Sequence, residues 1–269
     1  MVGAGGNGKL TFQPEVPSPA RIYDYLLGGK DNYPADRQAA QELLAAIPDL
    51  RTFARQNRAF LGRVVRYLAA EAGIRQFIDI GTGLPSQGNV HEIAQAAAPG
   101  AHVVCVDNDP VVLAHGRAML HGVPNTAIIE YDLRQPEAIL ADPQLGKLID
   151  FAEPAALLLV AIMHFIADED DPPGLVRRLV SALAPGSYVV LSHATADSRP
   201  ESAEGEKVYE RASAQARART RDQVAAMVAG LDVVEPGLVW APQWRPGPQA
   251  GPDDDPGRSH VYAVVARKA

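Results

Sequence analysis

Residues 77–83 read Phe77-Ile78-Asp79-Ile80-Gly81-Thr82-Gly83. A short apolar run that breaks into two glycines predicts a buried strand entering a tight loop. Glycines there let the backbone turn and approach a ligand without a Cβ in the way. The dinucleotide fingerprint would need a third glycine where Ser86 stands. Asp79 closes the strand with an acid, which repels a pyrophosphate and suits a ligand carrying an ammonium group. Asp79 and Ser86 together disfavour a nicotinamide-dependent oxidoreductase.

Outward from this loop, strand-like and helical runs alternate. Strands are predicted over 75–80, 102–107, 126–131, 155–161 and 187–192, with helices over 87–98, 109–120, 134–141 and 171–184. Asp109-Pro110 suits a helix start, Asp as cap and Pro in the first turn. Near-continuous apolar runs such as Ala156-Leu157-Leu158-Leu159-Val160-Ala161 belong to parallel strands covered on both faces. Two further strands, 232–235 and 260–266, have no helix between them and are expected as antiparallel neighbours at one sheet edge. The fold class is therefore α/β: a doubly wound, seven-stranded, mostly parallel sheet with an antiparallel C-terminal edge hairpin. A polar helical region is expected over 201–230. N-terminal to the sheet, one helix is predicted from Asp36 to before Pro48 and another from Asp49 to Ala72. The chain thus divides into a loose tail over 1–16, a helical extension over 17–73 and the sheet domain over 74–269.

Two more acids stand at strand ends, Asp107 in Val106-Asp107-Asn108 and Asp132 in Tyr131-Asp132-Leu133. A carboxylate such as Asp107 can accept two hydrogen bonds from ribose hydroxyls. Acids at three successive strand ends, with glycines after the first, form a more specific combination than the glycines alone.

Bulk properties narrow the class. The net charge of −7 argues against non-specific nucleic-acid binding, which needs cationic side chains on phosphates. The single cysteine, Cys105, excludes an intramolecular disulfide, and its apolar neighbours make it a small buried hydrophobe. No stretch approaches the roughly 20 apolar residues that span a bilayer, and the Gly-rich start lacks a signal peptide's apolar core. No membrane association and a cytoplasmic location are expected. The seven histidines do not cluster with acids at zinc-binding spacing, and the acidic run 168–171 lacks the central glycine of a calcium loop, so no metal is expected.

The segment Asp79-Ile80-Gly81-Thr82-Gly83, with Asp107 and Asp132 downstream, resembles class I S-adenosylmethionine-dependent methyltransferases, which have a Rossmann-like fold. More narrowly, residues 17–33, Pro17-Ser18-Pro19-Ala20-Arg21-Ile22-Tyr23-Asp24-Tyr25-Leu26-Leu27-Gly28-Gly29-Lys30-Asp31-Asn32-Tyr33, resemble the opening of an actinobacterial family of S-adenosyl methyltransferases, formerly a domain of unknown function. The runs Asn57-Arg58-Ala59-Phe60-Leu61, Gly88-Asn89-Val90-His91-Glu92 and Ala184-Pro185-Gly186-Ser187-Tyr188 fit it too. The likeness extends over nearly all of residues 17–240.

The resemblance implies S-adenosyl-L-methionine as cofactor and a role for each strand end. Asp79 would hold the methionine amino end. Gly81, Thr82 and Gly83 would lie under the methionine and ribose. Asp107 would take the ribose hydroxyls, Asn108 would lie against the adenine, and Asp132 would reach the adenine amino group with Leu133 alongside. The loop Ala161-Ile162-Met163-His164-Phe165 should pass near the methyl group. The family-specific segment, with Arg21, Tyr25, Asn32 and Tyr33, is expected to fold over the cofactor as a lid and to line the acceptor pocket.

Methyl transfer from a sulfonium is an in-line displacement, so alignment supplies much of the acceleration and a base is needed only if the acceptor must lose a proton. Candidate bases are His164, His193 and Tyr23. The expected activity is methylation of a small-molecule acceptor. The alternative is a regulatory protein that binds S-adenosylmethionine or S-adenosylhomocysteine without turnover. The sequence leaves the acceptor and the oligomeric state open.

Overall fold

The computed structural model describes residues 12–85, 88–198, 204–247 and 255–269. Five parallel strands form its centre: β1 Gln76–Ile80, β2 His102–Asp107, β3 Thr126–Glu130, β4 Ala156–Val160 and β5 Tyr188–Ala194. Three C-terminal strands complete the sheet: β6 Asp232–Val233, β7 Val239–Trp240 and β8 Val261–Arg267. The main order is β3-β2-β1-β4-β5-β8-β6, seven strands, with the short β7 also pairing to β8. β8 runs antiparallel to both β5 and β6, in keeping with the missing crossover helix. The short β7 is additional to the strands expected from sequence; it extends the cover of the same β8 edge, opposite Ala263 and Tyr262.

Alternation along each strand feeds two cores. Phe77, Val103, Leu158 and Val190 face one layer, with Phe60, Val64 and Leu68. Ile78, Val104, Leu157 and Val189 face the other, with Ile139, Leu175 and Leu179. Burial on both faces explains the near-continuous apolar sequence of these strands.

Ten α-helices are described: α1 Pro19–Leu27, α2 Pro34–Ala46, α3 Leu50–Ala70, α4 Val90–Ala97, α5 Pro110–Met119, α6 Pro136–Leu140, α7 Pro143–Leu148, α8 Pro172–Ser181, α9 Glu204–Tyr209 and α10 Arg221–Ala226. α3 buries Phe53, Phe60, Leu61, Val64, Val65 and Leu68 along one face at helical spacing, with the polar Asn57 among them. α5 starts as expected, with the Asp109 carboxylate accepting from Val111 N–H at 2.8 Å. α1 stops at Gly28, which takes a left-handed conformation with φ 86° that other residues rarely adopt.

The polar region after residue 200 departs from expectation. Residues 201–203 lie outside the described residues, and the remainder forms two short helices, α9 and α10, with non-helical chain between them. Between α9 and α10 the backbone bonds elsewhere: Ser213 N–H to Pro17 O, Arg217 N–H to His164 O and Arg219 N–H to Ala194 O. Those tertiary bonds replace the i→i−4 ladder that propensity alone would extend. Of the expected tail, residues 1–11 lie outside the described residues. Phe12–Val16 are tied down, Phe12 against the Tyr33 ring and Val16 O accepting from Arg21. Among the described residues no helix is long and apolar enough to cross a membrane.

Candidate functional site

Strand order reverses between β1 and β4, so a crevice opens at their carboxyl ends. A cavity of about 820 Å³ occupies it. It is lined along β1–β3 by Asp79, Gly81, Thr82, Gly83, Asp107, Asn108, Asp132 and Leu133, and past β4 by Ala161, Ile162, His164 and Phe165. α1 and α3 roof it with Tyr23, Leu26, Phe53 and Arg58.

The loop after β1 is held by backbone. Gly81 N–H and Thr82 N–H both donate to Val106 O, at 2.8 and 3.3 Å. Gly81 and Gly83 have φ of 73° and 69°, for different reasons. A Cβ on Gly81 would stand 2.6 Å from the Ile162 side chain, so that glycine lets β1 and the loop after β4 approach. A Cβ on Gly83 would meet nothing within 4 Å and would project into open space.

Asp79 is buried and accepts from Thr82 Oγ1 at 2.7 Å. No bond from the described residues reaches its other carboxylate oxygen. Burial raises its pKa, against the Thr82 bond and the Arg58 charge, which lower it. A buried carboxylate with a vacant acceptor is what a cationic group would satisfy. Asp107 accepts from Gly83 N–H at 3.0 Å on Oδ2 and from Asp109 N–H at 2.9 Å on Oδ1. Asn108 N–H also bonds this carboxylate, and the acceptor capacity that remains suits a hydroxyl donor. Burial pushes the Asp107 carboxyl up to about 6, despite the bonds from Asp109 and Gly83.

Asp132 is differently placed. Arg134 grips both its oxygens, Nε at 2.9 Å and Nη2 at 2.6 Å, while Arg134 N–H and Asn108 Nδ2 take the other sites. Burial raises this carboxyl, and the Arg134 contacts outweigh it, leaving it below the usual range. All four of its acceptor sites are occupied, so a ligand amino group would have to displace one of these donors.

The two histidines separate. His193 lies on β5, fully buried and outside the cavity lining. Its Nδ1 is 2.7 Å from Ala194 O, and Arg219 Nη1 donates to its Nε2 at 3.1 Å. Burial lowers its pKa to about 4. With both nitrogens engaged it cannot receive a proton from a ligand. His164 sits in the turn after β4 and does line the cavity. Ala194 N–H donates to its Nδ1 at 3.4 Å. Burial, with His193 and Arg219 nearby, holds it well below the ordinary histidine pKa.

Tyr23 lines the cavity, but its hydroxyl donates to Ala54 O and accepts from Asn57 Nδ2, both at 2.9 Å. Burial raises its pKa further. Asn57 continues inward: Ser192 Oγ donates to its Oδ1 at 2.6 Å and accepts from Ala161 N–H at 2.9 Å. One polar chain thus ties α1 and α3 to the ends of β4 and β5.

Arg21, Tyr25, Asn32 and Tyr33 are not brought to the cavity. Arg21 is buried in an ion pair with Asp36 at 3.1 Å. Tyr33 packs its ring on the Arg21 guanidinium, Tyr25 packs on Arg51, and Asn32 bonds Asp24. They build the base of α1, while Ser18, Tyr23, Leu26 and Leu27 face inward. Trp240 stacks on Tyr262 and Trp244 packs on Phe60 and Tyr67, both away from the cavity. Cys105 is buried, and burial pushes its thiol up to about 12.

Sequence reasoning does not reach Arg58. It lines the cavity, donates to Gly88 O at 3.2 Å and Asn89 Oδ1 at 3.3 Å, and its buried Nε has no partner among the described residues. The run Asn57-Arg58-Ala59-Phe60-Leu61 carries the family resemblance and the amphipathic pattern of α3, but neither singles out Arg58.

A doubly wound sheet with an antiparallel edge, glycines after the first strand and acids closing the first two defines a class I S-adenosylmethionine-dependent methyltransferase. More narrowly, the chain belongs to the S-adenosyl methyltransferase family, whose model matches residues 7–269. A solved protein of Thermobifida fusca YX is 41% identical, with TM-score 0.89 over 94% of this chain and 96% of that one. A duf574 family protein of Streptomyces avermitilis MA-4680 is 42% identical, with TM-score 0.88 over 95% and 99%. An O-methyltransferase family protein of Burkholderia thailandensis, 15% identical with TM-score 0.52 over 93% of this chain and 71% of that one, shares the fold. No curated protein matched the chain. The cofactor is S-adenosylmethionine, and the vacant acceptors on Asp79 and Asp107 suit its ammonium and ribose groups.

Proposed function

We propose that the protein transfers a methyl group from S-adenosylmethionine to a small-molecule acceptor enclosed beneath α1 and α3. The observation that carries this reading is the cavity of about 820 Å³ that joins the acidic strand ends to an apolar compartment. That volume falls in the range of small-molecule sites, of order 300–1,000 Å³.

In this reading the Asp79 carboxylate receives the methionine ammonium, and Asp107 accepts from the ribose hydroxyls. Gly83 keeps the floor open, Asn108 and Leu133 border the adenine, and an adenine contact at Asp132 requires Arg134 to release one bond. Arg58 lies where it can face the methionine carboxylate. When bound, the cofactor supplies a methyl group on a sulfonium. The chain's residues hold donor and acceptor in line and exclude water. Arg21, Tyr25, Asn32 and Tyr33 act by fixing α1 as a roof. Tyr23 and His193 carry no proton-transfer role, because every polar atom they present is already engaged. Phe12–Val16 join the helical extension over 17–73 through Tyr33 and Arg21, and the sheet domain follows over 74–269. The family does not favour the reading without turnover.

The test is direct. Calorimetry with S-adenosylhomocysteine should show stoichiometric binding, and incubation with methyl-labelled S-adenosylmethionine and a metabolite extract should place label in a small-molecule fraction. Absence of S-adenosylhomocysteine binding would overturn the site. Binding with no label in any fraction would return the regulatory alternative. Label found only in protein or nucleic acid would overturn the acceptor class.

A further inference from the structure

We propose that the acceptor is a largely apolar, ring-bearing molecule whose reacting oxygen is already ionised at neutral pH, and that His164 holds this oxygen as a hydrogen-bond donor rather than deprotonating it. The proposal rests on the methyltransferase reading above.

The tautomer of His164 is set by its backbone neighbour. An N–H cannot donate to a protonated nitrogen, so the bond from Ala194 N–H fixes Nδ1 as an acceptor. The neutral ring must then carry its proton on Nε2, as assigned from the bonding pattern. No described protein group bonds Nε2, and the ring borders the cavity. A second proton is opposed by burial, and then by His193 and the Arg219 guanidinium. Of the other groups nearby, Asp168 is held by Arg219, Arg217 meets only the His164 carbonyl through its backbone N–H, and Phe53 and Phe165 pack on the ring without charge. His164 therefore presents a fixed N–H and no basic lone pair.

The other groups at this end of the cavity offer no base either. His164 packs against Phe53 and Phe165, Phe165 packs in turn against Tyr209, and all four line the cavity together with Tyr23, Leu26 and Ile162. Tyr23 is engaged with Ala54 and Asn57, and burial raises the Tyr209 hydroxyl far from neutrality. The cavity's other described carboxylates stand on β1–β3 and the loops after β2 and β3: Asp79 and Asp107 at the ends of β1 and β2, Asp109 after β2, Glu130 at the end of β3, and Asp132 and Asp142 after it. Asp24 turns toward Asp31 N–H and Asn32. Among the described residues, no group at this end both borders the acceptor and can take a proton near pH 7.

Charge selects an anionic acceptor. An acceptor oxyanion forms its bond to the methyl carbon as the carbon–sulfur bond breaks, and that electron pair passes to sulfur. No proton moves, and an anion and a sulfonium become two neutral products. Apolar surroundings strengthen the attraction that drives this collapse. An amine acceptor would leave a cation with no carboxylate beside it. The aromatic lining, with His164 and Phe165 centroids 4.3 Å apart and Phe165 and Tyr209 5.5 Å apart, suits a flat ring.

The test has two readouts besides turnover. In the full-length protein with S-adenosylhomocysteine, ¹⁵N-histidine NMR should show His164 as the Nε2–H tautomer from pH 8 down to pH 5, assigned by loss of its signals in His164→Gln. An Nδ1–H tautomer, or an imidazolium at pH 7, overturns the proposal. In the protein saturated with sinefungin, a non-transferring cationic analogue, 4-nitrophenol should bind as phenolate, seen by absorbance. Its ionisation midpoint should fall, and His164→Phe should weaken phenolate binding by roughly tenfold. His164→Gln, which keeps an N–H donor, should recover most of that loss. An unshifted or raised midpoint, or no binding, overturns the acceptor class. Calorimetry with S-adenosylhomocysteine on the same samples separates the failures. If it binds and the probe behaves otherwise, only this inference falls; if it does not bind, the reading beneath it falls as well.

Discussion

At the polar end of the cavity, Asp79, Gly83 and Asp107 lie at the ends of two paired strands, and the Gly83–Asp107 bond ties those ends together. At the apolar end, Tyr23, Phe53, His164 and Tyr209 come from α1, α3, the turn after β4 and α9. The first end is a property of strand termini, where a buried run must stop and the next residues necessarily face the crevice. The second exists only because α1 and the segment before α10 fold back over the sheet. Changes at the polar end should act on cofactor affinity with modest loss of stability. Changes in the struts of the roof should act on stability first.

Asp36 offers the largest expected effect. Fully buried, it accepts from Ser18 N–H at 2.9 Å, Arg21 Nε at 3.1 Å and Tyr33 N–H at 2.8 Å, tying α1 to α2. Asp36→Ala leaves the Arg21 charge buried without its partner and should cost about 3–5 kcal/mol in urea unfolding. A loss under about 1 kcal/mol would show that α1 is not anchored through this pair.

Asp107→Ala should weaken S-adenosylhomocysteine binding by about 1–3 kcal/mol in calorimetry, with the fold intact by circular dichroism. The same carboxyl gives a pH signature. Its pKa in the cofactor-free fold, about 6, lies above the ordinary unfolded carboxyl value. It therefore contributes stability that is fully present below about pH 4 and is lost as pH rises through about 6. Cofactor hydroxyls favour the ionised form, so affinity should fall as pH drops from 7.5 to 5. Asp107→Asn should abolish that dependence and raise the melting temperature of the cofactor-free protein at pH 7.5. An unchanged pH profile in Asp107→Asn would assign the dependence to another group.

The two loop glycines sharpen the contrast within one turn. Gly81→Ala adds left-handed strain and a clash with Ile162, and should cost at least about 1–2 kcal/mol of stability. Gly83→Ala carries the same strain without the clash, so it should be the less destabilising of the two and should lose more cofactor affinity. Equal effects on both readouts would mean that the glycines serve only the turn. The smallest expected effect is Tyr23→Phe, which removes one buried donor and should cost about 1 kcal/mol. It should leave the pH dependence of methyl transfer unchanged, because the hydroxyl is committed to Ala54 and Asn57.

The α/β class, the parallel core and the edge reversal at β8 were legible because each comes from local chemistry. A strand buried on both faces must be apolar throughout, and a strand reached without a crossover helix must run antiparallel. The acids and glycines of the polar end were legible for the same reason, since their positions relative to β1 and β2 are set within a few residues. The shared periodicity of helix and loop-rich segments hid the break between α9 and α10, which depends on bonds to Pro17, His164 and Ala194. The roles of Arg21 and Tyr33 were obscured because a short aromatic and polar segment reads alike whether it lines a cavity or braces a helix.

By itself, then, the sequence determined the sheet, the strand-end acids and the cofactor loop that begins at Asp79. Tertiary structure alone decided that Gly81 serves packing while Gly83 faces open space. It alone engaged both nitrogens of His193 and turned His164 to the cavity, and it alone brought Arg58 there. The physical reason is range: strand, turn and cap chemistry act over a few residues, whereas a side chain's free atoms are set by whatever distant backbone folds against it.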